Sequence, residues 1–208
     1  MKAQVGIVVM ILLLLAALSG CAGSKIFLME VKYLPEKKAA PTEQVVGICP
    51  FEDLRKDMDK DLIGVRHHGE KHVDLLKLEG VSLSEAVTQA VKDYFTDNGV
   101  QVTGCKDWDK SPEGLDRLPG GLTLVVGGKI DSFTVEAKSG VMTTDIRYTV
   151  KLRALIGKIG ERKVIIRTVE STPKEKTMGF NPEKVKEKLD GIMTEVLQKL
   201  LAECLVCE

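Results

Sequence analysis

The chain has 208 residues, enough for one domain with a real core, and its 30 basic and 30 acidic side chains cancel, so no global charge draws it to nucleic acid. Aromatic residues make up only 4%, which leaves little material for a sugar-stacking or base-stacking platform. There is no Gly-x-Ser-x-Gly elbow, P-loop, dinucleotide fingerprint or His-Glu-x-x-His, so motif-defined hydrolases, kinases and oxidoreductases have nothing to stand on.

At the N-terminus, Lys2 supplies one positive charge and Val5 to Leu15 is an almost unbroken apolar run. That run is short of the roughly 20 residues a spanning helix needs. Leu18-Ser19-Gly20 then places small residues before Cys21, the pattern of a cleaved export signal. Leu18-Ser19-Gly20-Cys21 resembles the lipobox of bacterial lipoproteins. The resemblance implies that residues 1–20 are a lipoprotein signal peptide and that Cys21 carries a diacylglyceryl group and an N-acyl chain. Ala22, where inner-membrane lipoproteins of this kind often have aspartate, implies attachment to the outer membrane with the domain in the periplasm. Without Lys2 the mature chain has 29 basic against 30 acidic residues, a formal charge of −1.

Residues 21–44 read as an acylated tether, a first strand and a linker, and residues 45–208 as a single α+β domain. The first strand, Ile26 to Leu34, has Phe27, Met29, Val31 and Tyr33 on one side, and Pro35 ends it. Val45 to Phe51 is a short apolar run, as in a strand buried on both faces. Glu52 to His72 has no sustained period and reads as a loop. Its His67, His68 and His72 are weak candidates for zinc or copper, since loop histidines without helical i, i+4 spacing are normally solvated. No metal or other cofactor is expected.

Ser82 and Glu85 have capping-box spacing and open a helix whose apolar stripe runs from Leu83 to Phe95. Asn98-Gly99 ends it, and Val100 to Cys105 is a strand. Lys106 to Gly121 is a loop, with Trp108 expected to tuck over the edge of the core. Three strands of an antiparallel meander follow, Leu122 to Val135, Thr143 to Ile156 and Arg162 to Thr172. Leu122, Leu124, Val126, Gly128 and Ile130 share one face of the first. In the second, Ile146, Tyr148, Val150, Leu152, Ala154 and Ile156 alternate with Asp145, Arg147, Thr149, Lys151 and Arg153, so one face is buried and one wet. Pro173 to Phe180 is a connector. Asn181-Pro182 caps a second helix with a stripe from Val185 to Leu201.

The expected fold is therefore α+β, a mostly antiparallel sheet with two helices packed on one face. In that frame, Val46-Gly47-Ile48-Cys49-Pro50-Phe51-Glu52-Asp53-Leu54-Arg55 and Ile63-Gly64, with Asn98-Gly99-Val100-Gln101-Val102, resemble the signature of YajG-type bacterial lipoproteins. The resemblance covers Val45 to Leu201 and implies an outer-membrane lipoprotein, without an established active site to carry over. The extra N-terminal strand, the histidine-bearing stretch and four cysteines beyond Cys21 depart from the pattern.

Those four cysteines, in an exported chain, are expected to be oxidised. Of three connectivities, Cys49 with Cys105 and Cys204 with Cys207 are preferred, against the rival of four reduced thiols. Cys204-x-x-Cys207 follows a helix rather than opening one, so the dipole disfavours a reactive thiolate. From Thr143 to Arg167, seven basic residues stand against Asp145 and Glu161, net +5. Arg147, Lys151 and Arg153 on the wet face are candidates for binding a partner, as are Asp53 and Arg55. The function this supports is a lipid-anchored module, joined to the membrane by its acyl chains, that serves an envelope complex by binding a protein partner without catalysis. A carrier or chaperone for an anionic lipid or glycolipid is the alternative, and an uncharacterised enzyme the third.

Overall fold

The computed structural model describes residues 24–35, 39–56, 58–69, 72–106 and 108–205. The signal stretch, Cys21 and Cys207 lie outside the described residues. In chain order the elements are β1 (Ile26–Met29), β2 (Val45–Asp53), β3 (Leu62–His68), β4 (His72–Leu78), α1 (Leu83–Asp97), β5 (Gln101–Gly104), β6 (Leu124–Ser139), β7 (Thr144–Lys158), β8 (Lys163–Ser171), β9 (Lys174–Thr177) and α2 (Pro182–Leu201). Short 3₁₀ turns stand at Glu113–Arg117 and Ala202–Cys204.

The alternating stretch around residue 140 builds one long hairpin, with β6 and β7 paired from Leu124 opposite Lys158 to Ser139 opposite Thr144. Each outer edge of the hairpin carries two shorter strands end to end. On β6 these are β2 and β3, both parallel to it; on β7 they are β8 and β9, both antiparallel. β5 adds parallel to β2, β4 antiparallel to β3, and β1 parallel to β4. Four of these eight pairings are parallel, so the sheet is mixed rather than mostly antiparallel. The chain reaches β6 from β2 through a crossover containing α1, and such a return runs parallel.

Two stretches expected as loops are strands. The span from Glu52 to His72 contains all of β3 and the start of β4; it lacks a strand pattern because its inward positions near the hairpin tip are Arg66 and His68, facing Asp74 and His72 of β4, rather than aliphatics. The connector after Pro173 contains β9, an edge strand whose inward Glu175 accepts the Tyr148 hydroxyl at 2.6 Å. A bulge also intervenes in β6. Ile130 faces Leu152 and Ser132 faces Lys151, leaving Asp131 as the extra residue. The buried set therefore changes from Leu124, Val126 and Ile130 to Phe133, Val135 and Ala137, and the single face expected for this strand does not continue.

Both helices pack on one face. Ser82 accepts the Glu85 N–H while Glu85 accepts the Ser82 N–H, the reciprocal cap expected at α1. Asn181 accepts the Glu183 and Lys184 N–H groups at the start of α2. α1 lies on β2 and β5, and α2 on β7 and β8, closing a core in which Phe51, Phe95, Phe133, Tyr148 and Leu189 are fully buried. Each such side chain contributes about 1.5–3 kcal/mol. The segment after β1 is fastened to the helix layer. Lys32 and Leu34 donate their N–H groups to Asp190 and Thr194 of α2, and Tyr33 meets Tyr94 of α1 edge-on with ring centres 5.4 Å apart.

The other face has a smaller core at the end of the hairpin remote from its tip. Here the chain between Cys105 and Leu118 folds over Val125 and Leu155, with Trp108 and Leu115 buried. Trp108 donates its indole N–H to the Ser111 carbonyl at 3.1 Å. A disulfide joins Cys49 to Cys105 in this core. Cys204 is buried beyond α2, and its expected pairing with Cys207 falls outside the described residues.

Gly157 makes room for this second core, since a Cβ there would lie 2.5 Å from Leu115 Cδ2, 2.7 Å from Val125 Cγ1 and 3.0 Å from Trp108 Cζ2. Gly157→Ala should lower stability by about 1–3 kcal/mol, read from the urea midpoint. Gly160→Ala, whose Cβ would meet nothing within 4 Å, should leave that midpoint close to the parent's.

Candidate functional site

The second core covers only part of the face away from the helices. Toward the β6–β7 tip that face is open, and cross-strand register lays down two rows of charge. Glu136, Arg147 and Lys174 form one; Lys138, Asp145 and Lys176 form the other. With Ile146 and Glu175 they line a groove of about 370 Å³. Lys176 lies 3.7 Å from Asp145. Arg147 has no ion pair within 4.0 Å among the described residues and is exposed, so its five donors face water.

Five of the other six basic residues between Thr143 and Arg167 are neutralised in space. Arg153 makes two bonds to Asp131, at 2.8 and 2.9 Å, so the bulge residue is also the arginine's partner. Lys151 pairs with Glu170 at 3.0 Å, Lys158 with Glu161 at 2.7 Å, Arg162 with Asp116 at 3.1 Å, and Arg167 with Glu203. The carboxylates come from neighbouring strands, the β7–β8 turn, the Trp108 loop and the C-terminal turn. Reversing Lys151 and Arg153 would thus set like charges against Glu170 and Asp131 rather than alter a free surface.

Toward β1 the same face becomes apolar. Val65, Val73 and Leu75 are half-buried, and Ile26 and Leu28 on the edge strand are exposed. The open half-face therefore joins an aliphatic stripe to a charged one.

Asp53 and Arg55 form a clamp. The Arg55 guanidinium donates to both Asp53 oxygens and to the carbonyls of Leu62, at 2.6 Å, and Phe133, at 3.1 Å, with its side chain almost fully buried. It bolts the β2–β3 crossover to β6. Burial works to raise the Asp53 pKa, but the Arg55 side-chain and backbone hydrogen bonds outweigh it and hold the carboxyl below its ordinary range.

The three histidines do not converge. His67 points to the open face, while His68 and His72 stack on the helix face with ring centres 5.4 Å apart. Among the described residues no group of three or more His, Cys, Asp and Glu side chains is placed to hold a metal ion. His68 instead meets Asp74, an acid whose nearness in sequence pointed to the weak metal reading and which the fold uses as a structural anchor. Asp74 is fully buried, accepts the Lys25 N–H at 2.9 Å, and lies 3.2 Å from His68 Nε2 and 3.3 Å from Arg66 Nη1. Arg66 in turn lies over the Phe180 ring at 4.7 Å, and Phe180 meets Phe27 of β1 with centres 5.4 Å apart. Burial acts to raise the Asp74 pKa, and the Lys25 N–H, His68 and Arg66 together bring it below the usual carboxylate value. Alternation of a buried acid with Arg and His across β3 and β4 was the available signal.

No protein-family model matches the chain and no curated protein matches it in sequence. In structure it is similar to protein XCC0632 from Xanthomonas campestris, described as DUF330, over 88% of this chain and 95% of that one, with TM-score 0.57 and 11% identity. It is also similar to an uncharacterised protein over 84% of this chain and 99% of that one, with TM-score 0.51 and 8% identity. These likenesses show a shared fold.

Asp74→Asn should destabilise the domain by about 1–3 kcal/mol at neutral pH, because Arg66, His68 and the Lys25 N–H lose their ionised partner. Since the folded carboxyl titrates below its unfolded value, its contribution is complete above about pH 4 and is lost as pH falls through the lowered folded value. Urea midpoints at pH 7 and pH 3 should show a large gap between the two proteins at pH 7 and a smaller one at pH 3.

Proposed function

We propose that this chain is an outer-membrane lipoprotein whose periplasmic domain acts, without catalysis, as a docking module for an envelope protein. The observation that carries this reading is the open half-face, where Lys138, Arg147, Lys174 and Lys176 line a groove and, across β3 and β4, Ile26 and Leu28 stand exposed on the edge strand of the same face. A surface that sets an aliphatic stripe on the same face as exposed cations, Arg147 among them without an ion pair within 4.0 Å among the described residues, suits a protein partner with an acidic rim. The lipobox resemblance at Cys21 supports the anchor. Among the described residues no helix is long and apolar enough to cross a membrane. Kinship with YajG-type lipoproteins rests on the motifs around Asp53 and Ile63, and the Arg55 clamp gives the Asp-x-Arg part of that motif a structural reason.

The main core between sheet and helices is filled by large side chains such as Phe51, Phe133 and Tyr148, which favours a docking module over a lipid carrier with an internal cavity. Cys21→Ala should accumulate as an unprocessed precursor that no longer floats with outer membrane; processing at Gly20 in that variant would defeat the anchor. Replacing Lys138, Arg147 and Lys174 by glutamine, which removes charge without setting new carboxylates beside Glu136 and Asp145, should shift stability by only about 0.5 kcal/mol per residue. The same change should abolish co-purification of envelope partners at low salt, while the parent's interaction should weaken as salt rises. Retention of every partner by the folded variant would move the site elsewhere.

A further inference from the structure

Among the described residues, the three most exposed large apolar side chains are Val141, Met178 and Met142, at 104%, 90% and 75% of full exposure. They gather at one end of the molecule. Val141 and Met142 form the turn between Ser139 and Thr144, His68 pairs with both Ser139 and His72, and Thr177 pairs with Thr144 immediately before Met178. The ends of β3, β6 and β9 and the start of β4 are thus level. The Phe27–Phe180 contact draws the chain after β9 back toward β1, so these tips form a cluster rather than a row.

The chain enters the domain at the same end. Lys25 is fixed beside Asp74 by its N–H, and its carbonyl accepts the Leu75 N–H. That is two residues, about 7 Å, short of His72 at the tip level. Three residues lie between Cys21 and Lys25, and the four steps from one to the other reach at most about 14 Å. Acyl chains on Cys21 would therefore be tethered within about 14 Å of Lys25, at the end of the domain that carries the hairpin tips. Around the tips stand the exposed Lys25, Lys138, Lys176 and His72, with Asp145 beside Lys176. Exposed aliphatics within a basic rim are the chemistry of a surface that enters an anionic lipid interface.

We propose that this end of the domain is a membrane-contact surface, with Val141, Met142 and Met178 inserted at the headgroup level of the leaflet that holds the acyl chains. The inference rests on acylation of Cys21 and adds a second, non-covalent attachment that fixes how the domain stands on the bilayer. The open half-face then lies just above the lipid, with its Lys138–Asp145–Lys176 row nearest the surface.

The test uses the full acylated protein in vesicles of phosphatidylethanolamine and phosphatidylglycerol, with intact mass reporting the acyl groups and thermal melting confirming the fold. Val141→Trp and Met178→Trp are compared with Gly160→Trp, placed at the opposite end of the hairpin, each against the Trp108 background of the parent. Brominated phospholipid should quench the tryptophans at 141 and 178 at least twofold more than the one at 160. Adding Val141→Asp and Met142→Asp to the Met178→Trp protein should reduce its quenching toward that of the remote reporter. Equal quenching at all three positions in acylated protein would overturn the contact surface and leave the anchor standing. A blue shift at 141 and 178 in native envelopes without quenching by lipid would show a protein covering the tips and would also overturn it. Absence of acyl groups on Cys21 would remove both the anchor and the contact.

Discussion

The structure depends on one long pairing, that of β6 with β7. About 50 Å of continuous hairpin gives each outer edge room for two strands placed end to end. No shorter strand could take β2 and β3 on one side or β8 and β9 on the other. The two half-sheets are consequently not separate units joined by a linker. A slip of one residue in the pairing would carry Tyr148, Val150 and Leu152 from the core into water along the whole length, so the burial of that alternating row also sets the register on which both halves rely.

The bulge at Asp131 shows how a local irregularity serves both packing and charge. One extra residue turns β6 over, so that even-numbered positions face the helices near Leu124 and odd-numbered ones near Phe133. The same residue, standing out of the ladder, supplies the carboxylate that holds Arg153. Buried and half-buried polar groups recur in this pattern. Arg55 joins the β2–β3 crossover to β6, Asp190 holds the segment after β1 on α2, and Asp74 fixes the point where the chain enters the sheet.

What the sequence made legible follows from how local the signals are. Caps at Ser82 and Asn181, the stripes of both helices and the alternation of β7 are set by neighbours within a few residues, and all stand where expected. The strands β3 and β9 were hidden because their inward positions carry Arg66, His68 and Glu175, whose partners lie on other strands. Strand direction was hidden for a related reason: alternation marks a face without saying which way the neighbour runs. The basic stretch between Thr143 and Arg167 was legible as composition. Its neutralisation by Asp116, Asp131, Glu170 and Glu203 was not, since those carboxylates arrive through folding. Arg147 keeps its place in the candidate surface because it faces open solvent near the tip, and Lys138, Lys174 and Lys176 join it only through register.

The disulfide between Cys49 and Cys105 spans 56 positions of sequence, and β3, β4 and α1 all lie between its two ends. The bond joins neighbouring parallel elements near the remote end of the sheet, far from the crossover and hairpin turn that it encloses. This half of the fold is therefore a covalent ring. A protease that cut the crossover near Leu54 or the turn at Gly69 would nick the ring without releasing a fragment, and both new ends would still be paired in the sheet. A protein built this way keeps both pieces covalently joined for as long as the Cys49–Cys105 bond stays oxidised, and holds them by the sheet alone once it is reduced.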